Sequence, residues 1–327
     1  MIGSTAIVPG AAVAILSGMA RAAGQERVIR VGILKFGSVS WQLDVIKRHG
    51  LNRAEGIRIE PLELASNQAT LVALQGGRVD TVVSDLFWVA LQRSSGADWS
   101  FSPYSSALGA VEVAAESPLR SFDDLAGHRL GIAGTPLDKS WLLLRLLSLQ
   151  RGGRDLDASV EKIFGAPPLL GEQLAAGRLD AVLTYWQFAA RLEAGGARRL
   201  LGMDEAMREL GFAEPVPLVG YVVSRGWAMQ NRSLVDGFRR ACAQADDIMA
   251  NSDQEWLTLA PLTGAASPAE LDRLRDAFRR GIPPRPDRNG HEAAQRLYQL
   301  LARVAGRALA GTGTMLPEGI FLDDLDG

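Results

Sequence analysis

The chain has 327 residues, 47% of them hydrophobic and 22% charged, enough to bury cores in two or three domains. A formal net charge of −2 excludes a phosphate-backbone binder, which carries a clustered basic excess, so no nucleic-acid partner is expected. The single cysteine, Cys242, excludes an intramolecular disulfide and a cysteine-rich zinc site and reads as a small core residue.

Residues 6–19 form an apolar run of signal-peptide length, too short for the roughly twenty apolar residues that span a bilayer. Ala20-Arg21-Ala22 then supplies the small-x-small pattern read by a signal peptidase. Residues 1–22 are therefore expected to be a cleaved export signal, although no Lys or Arg precedes the run.

A first buried strand is expected over 28–34, followed by a polar loop, 35–40, in which Ser38 or Ser40 caps a helix starting near Trp41. A second strand follows at 57–64, and Ser66-Asn67-Gln68 opens a helix running to Gly76. A strand at 109–114 reads as the first crossing between lobes. Thr135-Pro136-Leu137-Asp138 places Thr at a cap, Pro at the first helical position and an acid three residues on, a strong start for a helix through Leu149. A return strand is expected over 215–224, and the chain from Leu234 onward reads as helices.

Two segments one hundred residues apart carry the same pattern. Leu74, Gly77, Arg78, Asp80 and Val82 recur as Leu174, Gly177, Arg178, Asp180 and Val182, with aromatic residues following each time. Each copy reads as a helix end, a glycine stop and a buried strand halting at a polar mouth. Two copies are too few for a solenoid and fit two similar α/β lobes. The expected fold is α/β and two-lobed, each lobe a mostly parallel sheet flanked by helices, with the ligand cleft beyond the carboxyl ends of the strands. Lobe I is expected to comprise 23–112 and 217–327, and lobe II 113–216.

Those strand ends supply the candidate ligand-binding residues: Phe36, Gly37, Ser38, Trp41, Asn67, Gln68, Asp85, Phe87, Trp88, Gly134, Thr135, Asp138, Lys139, Tyr185 and Trp186, with Tyr221 on the return strand. Trp41, Trp88 and Trp186 are expected to face the cleft, each lying just past a strand end. Aromatic residues make up only 6% of the chain, so their clustering at the mouths suits a flat heterocycle or an organic cation. Asp44, Asp85 and Asp138 come from three mouth segments and would favour a cation if they converged. Gly134 through Ser140 ends like a phosphate-binding loop, but Ala133 and Asp138 stand where that motif needs glycines. His49, His128 and His291 show no metal-ligand spacing, and no catalytic motif is visible. No metal, cofactor or catalytic residue is expected.

The residues resemble the periplasmic solute-binding proteins of the nitrate/taurine/sulfonate type, which belong with the pyrimidine-precursor-binding proteins. Leu71 through Asp80 is similar to that family's AL-x-x-G-x-x-D segment, and Ser121 through Ile132 to its S-x-x-DL-x-G-x-x-x-G segment. Ser224 through Trp256 looks like its return strand and following helix, and the likeness covers roughly 28–260. It implies a type II periplasmic-binding fold, a monomeric, non-catalytic receptor outside the inner membrane, and an ABC permease as partner. Asp138 departs from the family's small residues at that helix start; its carboxylate already uses the positive helix end, so an anionic solute is expected to bind less well. Two alternatives remain: an enzyme like the pyrimidine-precursor synthases on the same fold, which depend on a cysteine-rich segment absent here, and a ligand-sensing partner of a membrane signalling protein.

Overall fold

Among the described residues, short apolar runs bounded by glycine and polar residues form ten strands: β1 Arg27–Leu34, β2 Ile57–Leu64, β3 Thr81–Asp85, β4 Trp99–Ser105, β5 Ala110–Val113, β6 Arg129–Ala133, β7 Glu161–Gly165, β8 Ala181–Thr184, β9 Arg198–Gly202 and β10 Val219–Ser224. The structure, a computed structural model, describes residues 27–35, 37–284, 288–310 and 313–325. The strands form two five-stranded sheets of matching order, β2-β1-β3-β10-β4 and β7-β6-β8-β5-β9. In each sheet the fourth strand alone runs against the others: β10 is antiparallel to β3 and β4, and β5 to β8 and β9. These are the strands by which the chain enters one sheet from the other. The mostly parallel, two-lobed architecture expected from the sequence is the one observed.

The internal repeat has a structural cause. In the first lobe Asp80 accepts from the backbone N–H of Arg30 at 2.8 Å and from its Nε at 3.0 Å. In the second, Asp180 accepts from the N–H of Arg129 at 2.8 Å and its Nε at 3.1 Å. Gly77 and Gly177 take φ of +66° and +67°, a left-handed stop that L side chains rarely adopt. Val79 and Leu179 are buried directly after them. The Gly-Arg-x-Asp pattern thus locks the helix before each central strand onto the start of the neighbouring strand.

The expected crossing strand at 109–114 is β5, and it pairs wholly within the second sheet. A boundary at 112/113 therefore cuts through a strand; the chain changes sheets between Ser105 and Ala110. Gly109, with φ +131°, marks the passage: a Cβ there would lie 2.0 Å from the Thr184 carbonyl oxygen.

Parts of 217–327, expected in the first lobe, also reach the second. The Pro268–Gly281 helix packs on the Trp186–Ala194 helix of the second lobe, and the Arg288–Ala305 helix packs on the second-lobe Lys139–Gly152 helix. Arg191 ion-pairs with Glu270, and Arg273 with Glu193 at 2.8 Å, along the first of these contacts. One apolar core consequently runs through Phe87 and Phe101 of the first lobe, Trp141 and Leu144 of the second, and Leu297 and Tyr298 of the C-terminal helices.

Glu112, in the middle of β5, is completely buried, and neither carboxyl oxygen has a hydrogen-bond partner. Burial, reinforced by the nearby Glu193, pushes its carboxyl up to about 8; Arg199 at 3.6 Å opposes this only in part.

Candidate functional site

A cavity of about 620 Å³ opens between the sheets, bounded by the segments that follow β1, β3, β6 and β8. From the first lobe, Gly37, Ser38, Asn67, Gln68, Asp85, Phe87 and Trp88 line it. From the second, Gly134, Thr135, Asp138, Lys139, Tyr185 and Trp186 do. The sequence had not marked Tyr104 on β4, Thr70 and Leu71 on the Asn67–Gln75 helix, or Leu309 near the C-terminus, which also contribute. Tyr104 sits in an edge strand with no mouth motif, and Leu309 arrives through the C-terminal helices.

Two aspartates organise the cavity. Asp85 ends β3 and caps the Leu86–Ser94 helix, its Oδ1 accepting from the N–H of Trp88 at 2.8 Å. Asp138 caps the Lys139–Gly152 helix, its Oδ1 accepting from the N–H groups of Ser140 at 2.9 Å and Trp141 at 3.4 Å. The expected Thr135 cap is therefore replaced by Asp138. Residues 135–138 form a turn closed by the Asp138 N–H on the Thr135 carbonyl, and the helix begins three residues later than the Pro signal suggests. A carboxylate accepting two N–H groups satisfies more of the helix end than a hydroxyl accepting one.

Burial raises the Asp138 carboxyl above the usual carboxylate range, and Asp85 adds to this, while Lys139 and the two cap hydrogen bonds pull it back. Burial likewise holds the Tyr185 hydroxyl well above its ordinary value, with Asp138 and Asp85 contributing. Gly134 makes this crowding feasible: its φ is +98°, and a Cβ would stand 2.8 Å from the Tyr185 hydroxyl. The Lys139 ammonium lies 5.9 Å from the Tyr185 ring centroid.

The aromatic residues divide. Trp88 and Trp186 are half-buried cavity walls, and Phe87 is a buried wall packed on Tyr298 at 5.8 Å. Trp41 does not face the cleft. It is 2% exposed and sits in the first-lobe core against Trp256 at 6.0 Å and Phe278 at 6.4 Å. Helices 253–263 and 268–281 cover its side of the Val39–Arg48 helix. Trp186 meets Trp41 edge-on at 6.0 Å, so an aromatic contact joins the lobes behind the cavity.

Three further expectations change. Ser38 makes no cap hydrogen bond; its Oγ accepts from the Tyr104 hydroxyl at 2.9 Å. Tyr221 is buried in the first lobe, donating to Gln42 Oε1 at 2.7 Å, and lines a different cavity. Asp44 is ion-paired with Arg48 at 2.6 Å on its own helix, so Asp85 and Asp138 approach one another without it. Phe36 and the expected export segment, 1–22, lie outside the described residues.

The fold is shared with solved structures of known proteins. The alkanesulfonate-binding protein SsuA from Xanthomonas axonopodis pv. citri, bound to MOPS, superposes with a TM-score of 0.69 at 23% identity, covering 90% of this chain and 97% of that one. The periplasmic aliphatic sulphonate binding protein SsuA from Escherichia coli gives 0.69 at 20% identity, with 92% and 99% covered. The desulfurization enzyme DSZB gives 0.61 at 17% identity, with 90% and 98% covered. No curated protein matches the chain by sequence. The family model described as NMT1/THI5 like matches residues 45–255, about two thirds of the chain, and the chain belongs to that family.

Proposed function

We propose that this protein is the solute-capturing component of an ABC importer: it is exported to the periplasm, closes on a small solute between its lobes and delivers it to an inner-membrane permease. The observation that carries this reading is the interlobe cavity of about 620 Å³, walled by side chains of both sheets at their carboxyl ends. Sulfonate-binding proteins of the same fold support the receptor reading.

Their ligand class does not carry over. A helix N-terminus attracts an anion through unsatisfied N–H groups. Here the helix starts after β3 and β6 already hold the carboxylates of Asp85 and Asp138. An incoming sulfonate would meet two acidic groups and a helix end already capped, against the single basic side chain in the described lining, Lys139. An organic cation or a neutral flat ring would meet Trp88, Trp186 and Tyr185 with acceptors nearby.

The shared fold of a desulfurization enzyme raises the catalytic alternative. Cys242 gives it no nucleophile, because the thiol is buried in the first lobe, does not line the cleft, and is held well above its usual pKa by burial. A thermal-shift screen of small solutes tests the receptor reading: a true solute raises Tm and loses that effect in Trp88→Ala, and turnover of that solute would overturn the non-catalytic assignment.

A further inference from the structure

A second cavity of about 710 Å³ lies within the first lobe, between β10, β4 and the Arg232–Asn251 helix. Among the described residues, Tyr104 alone lines both this cavity and the cleft. The solute reading above makes no use of this space.

Its chemistry is specific. Asp246 projects from the Arg232–Asn251 helix and takes one hydrogen bond from the protein, donated by Gln42 Nε2 at 2.6 Å. Gln42 is fixed in that orientation because its Oε1 accepts from Tyr221. Among the described residues no cation pairs with Asp246. Two arginines stand at the rim, Arg240 ion-paired with Glu55 at 2.7 Å and Arg239 3.9 Å from Asp236. The remaining walls mix apolar and aromatic side chains, with Phe238 and Tyr221 meeting edge to face at 5.0 Å, and the polar Thr81, Ser102, Asp247 and Asp323.

A partly buried carboxylate without a counter-charge takes up a proton or a cation more readily than one in open water. Burial accordingly pushes the Asp246 carboxyl up to about 7. We propose that this first-lobe cavity is a second binding site, taking a small flat organic cation of the amidinium type against Asp246. An amidinium supplies the N–H donors that the free Asp246 oxygen lacks, and its flat apolar body matches the walls. A metal ion fits less well, because no group of three or more His, Cys, Asp or Glu among the described residues is arranged to hold one.

Benzamidinium chloride is the probe, titrated calorimetrically into the full chain and into Asp246→Asn, Ala243→Trp and Asp138→Asn variants. Ala243 lines the cavity and is exposed, so a Trp there blocks the space without disturbing the core, and melting curves verify the fold. Asp246→Asn and Ala243→Trp should each weaken binding about tenfold or more, from the lost charge-assisted hydrogen bond or the lost space. Asp138→Asn should leave this site intact. Binding unchanged in both cavity variants would overturn the proposal, as would no binding to the wild type.

Discussion

Asp85, at the end of β3 in the first lobe, and Asp138, after β6 in the second, each cap a helix that starts at the cleft, and the charge of Asp85 helps to raise the pKa of Asp138. The two carboxylates therefore do opposite work in folding and in binding. As caps they satisfy helix N–H groups that would otherwise be orphaned. As neighbours they favour, on the function proposed above, a positive charge over an anion in the cleft.

Asp138→Asn separates these roles. The amide oxygen still accepts the cap hydrogen bonds, so stability should change by less than about 1 kcal/mol. Affinity for a cationic solute should fall by about 1.5–3 kcal/mol, roughly ten- to a hundredfold, from loss of the charged partner. Calorimetric titration and melting curves on the same variant read both. Because the carboxyl is raised in the folded protein, affinity for a permanently charged cation should also drop as pH falls through that raised value, and the Asn variant should lose this dependence.

Trp88 and Trp41 should respond oppositely to truncation. Trp88→Ala should cost about 1–3 kcal/mol of solute affinity while the protein still melts cooperatively. Trp41→Ala should cost about 3–5 kcal/mol of stability, because it empties a core position beneath Trp256 and Phe278. Denaturant titration separates the two.

Glu112 makes stability depend on pH in a direction that can be checked. Its folded value of about 8 lies above that of an unfolded glutamate, so the native state holds a proton that the unfolded chain has released. Stability carried by the neutral form is complete at low pH and is lost as pH rises from about 4.5 to about 8, with a maximal slope of about 1.4 kcal/mol per pH unit. Glu112→Gln should flatten that slope in urea melts taken at pH 5, 6.5 and 8. A variant with the wild-type slope would mean that Glu112 is ionised when folded.

Gly134→Ala tests the geometry of the cleft floor. The residue must keep φ +98° and its Cβ would press on the Tyr185 hydroxyl, so a destabilisation of about 1–3 kcal/mol and weaker solute binding are expected together.

Much of this was legible in the sequence. The repeat at Gly77-Arg78 and Gly177-Arg178 gave two lobes because the local devices that close a helix and start a strand are short and chemically specific. Most residues named at the strand ends do line the cavity, since in such sheets topology fixes where a ligand is received, though they make up less than half of its wall. What stayed hidden depends on distant chain. Nothing near Trp41 announces that helices more than two hundred residues later cover it. The C-terminal helices read as amphipathic segments, and periodicity does not say which lobe their apolar faces join. The shift of the cap from Thr135 to Asp138 reflects competition between two acceptors in one turn, which spacing alone leaves undecided.

The most direct test compares two solutes of like size and opposite charge, benzyltrimethylammonium and phenylmethanesulfonate, by thermal shift on the wild type and on Asp138→Asn and Asp246→Asn variants. A ligand at one hundred times its Kd stabilises by about 2.7 kcal/mol, well within detection. The ammonium alone should raise Tm, and Asp138→Asn should diminish the rise while Asp246→Asn retains the cleft component. A rise with the sulfonate and none with the ammonium would contradict this expectation.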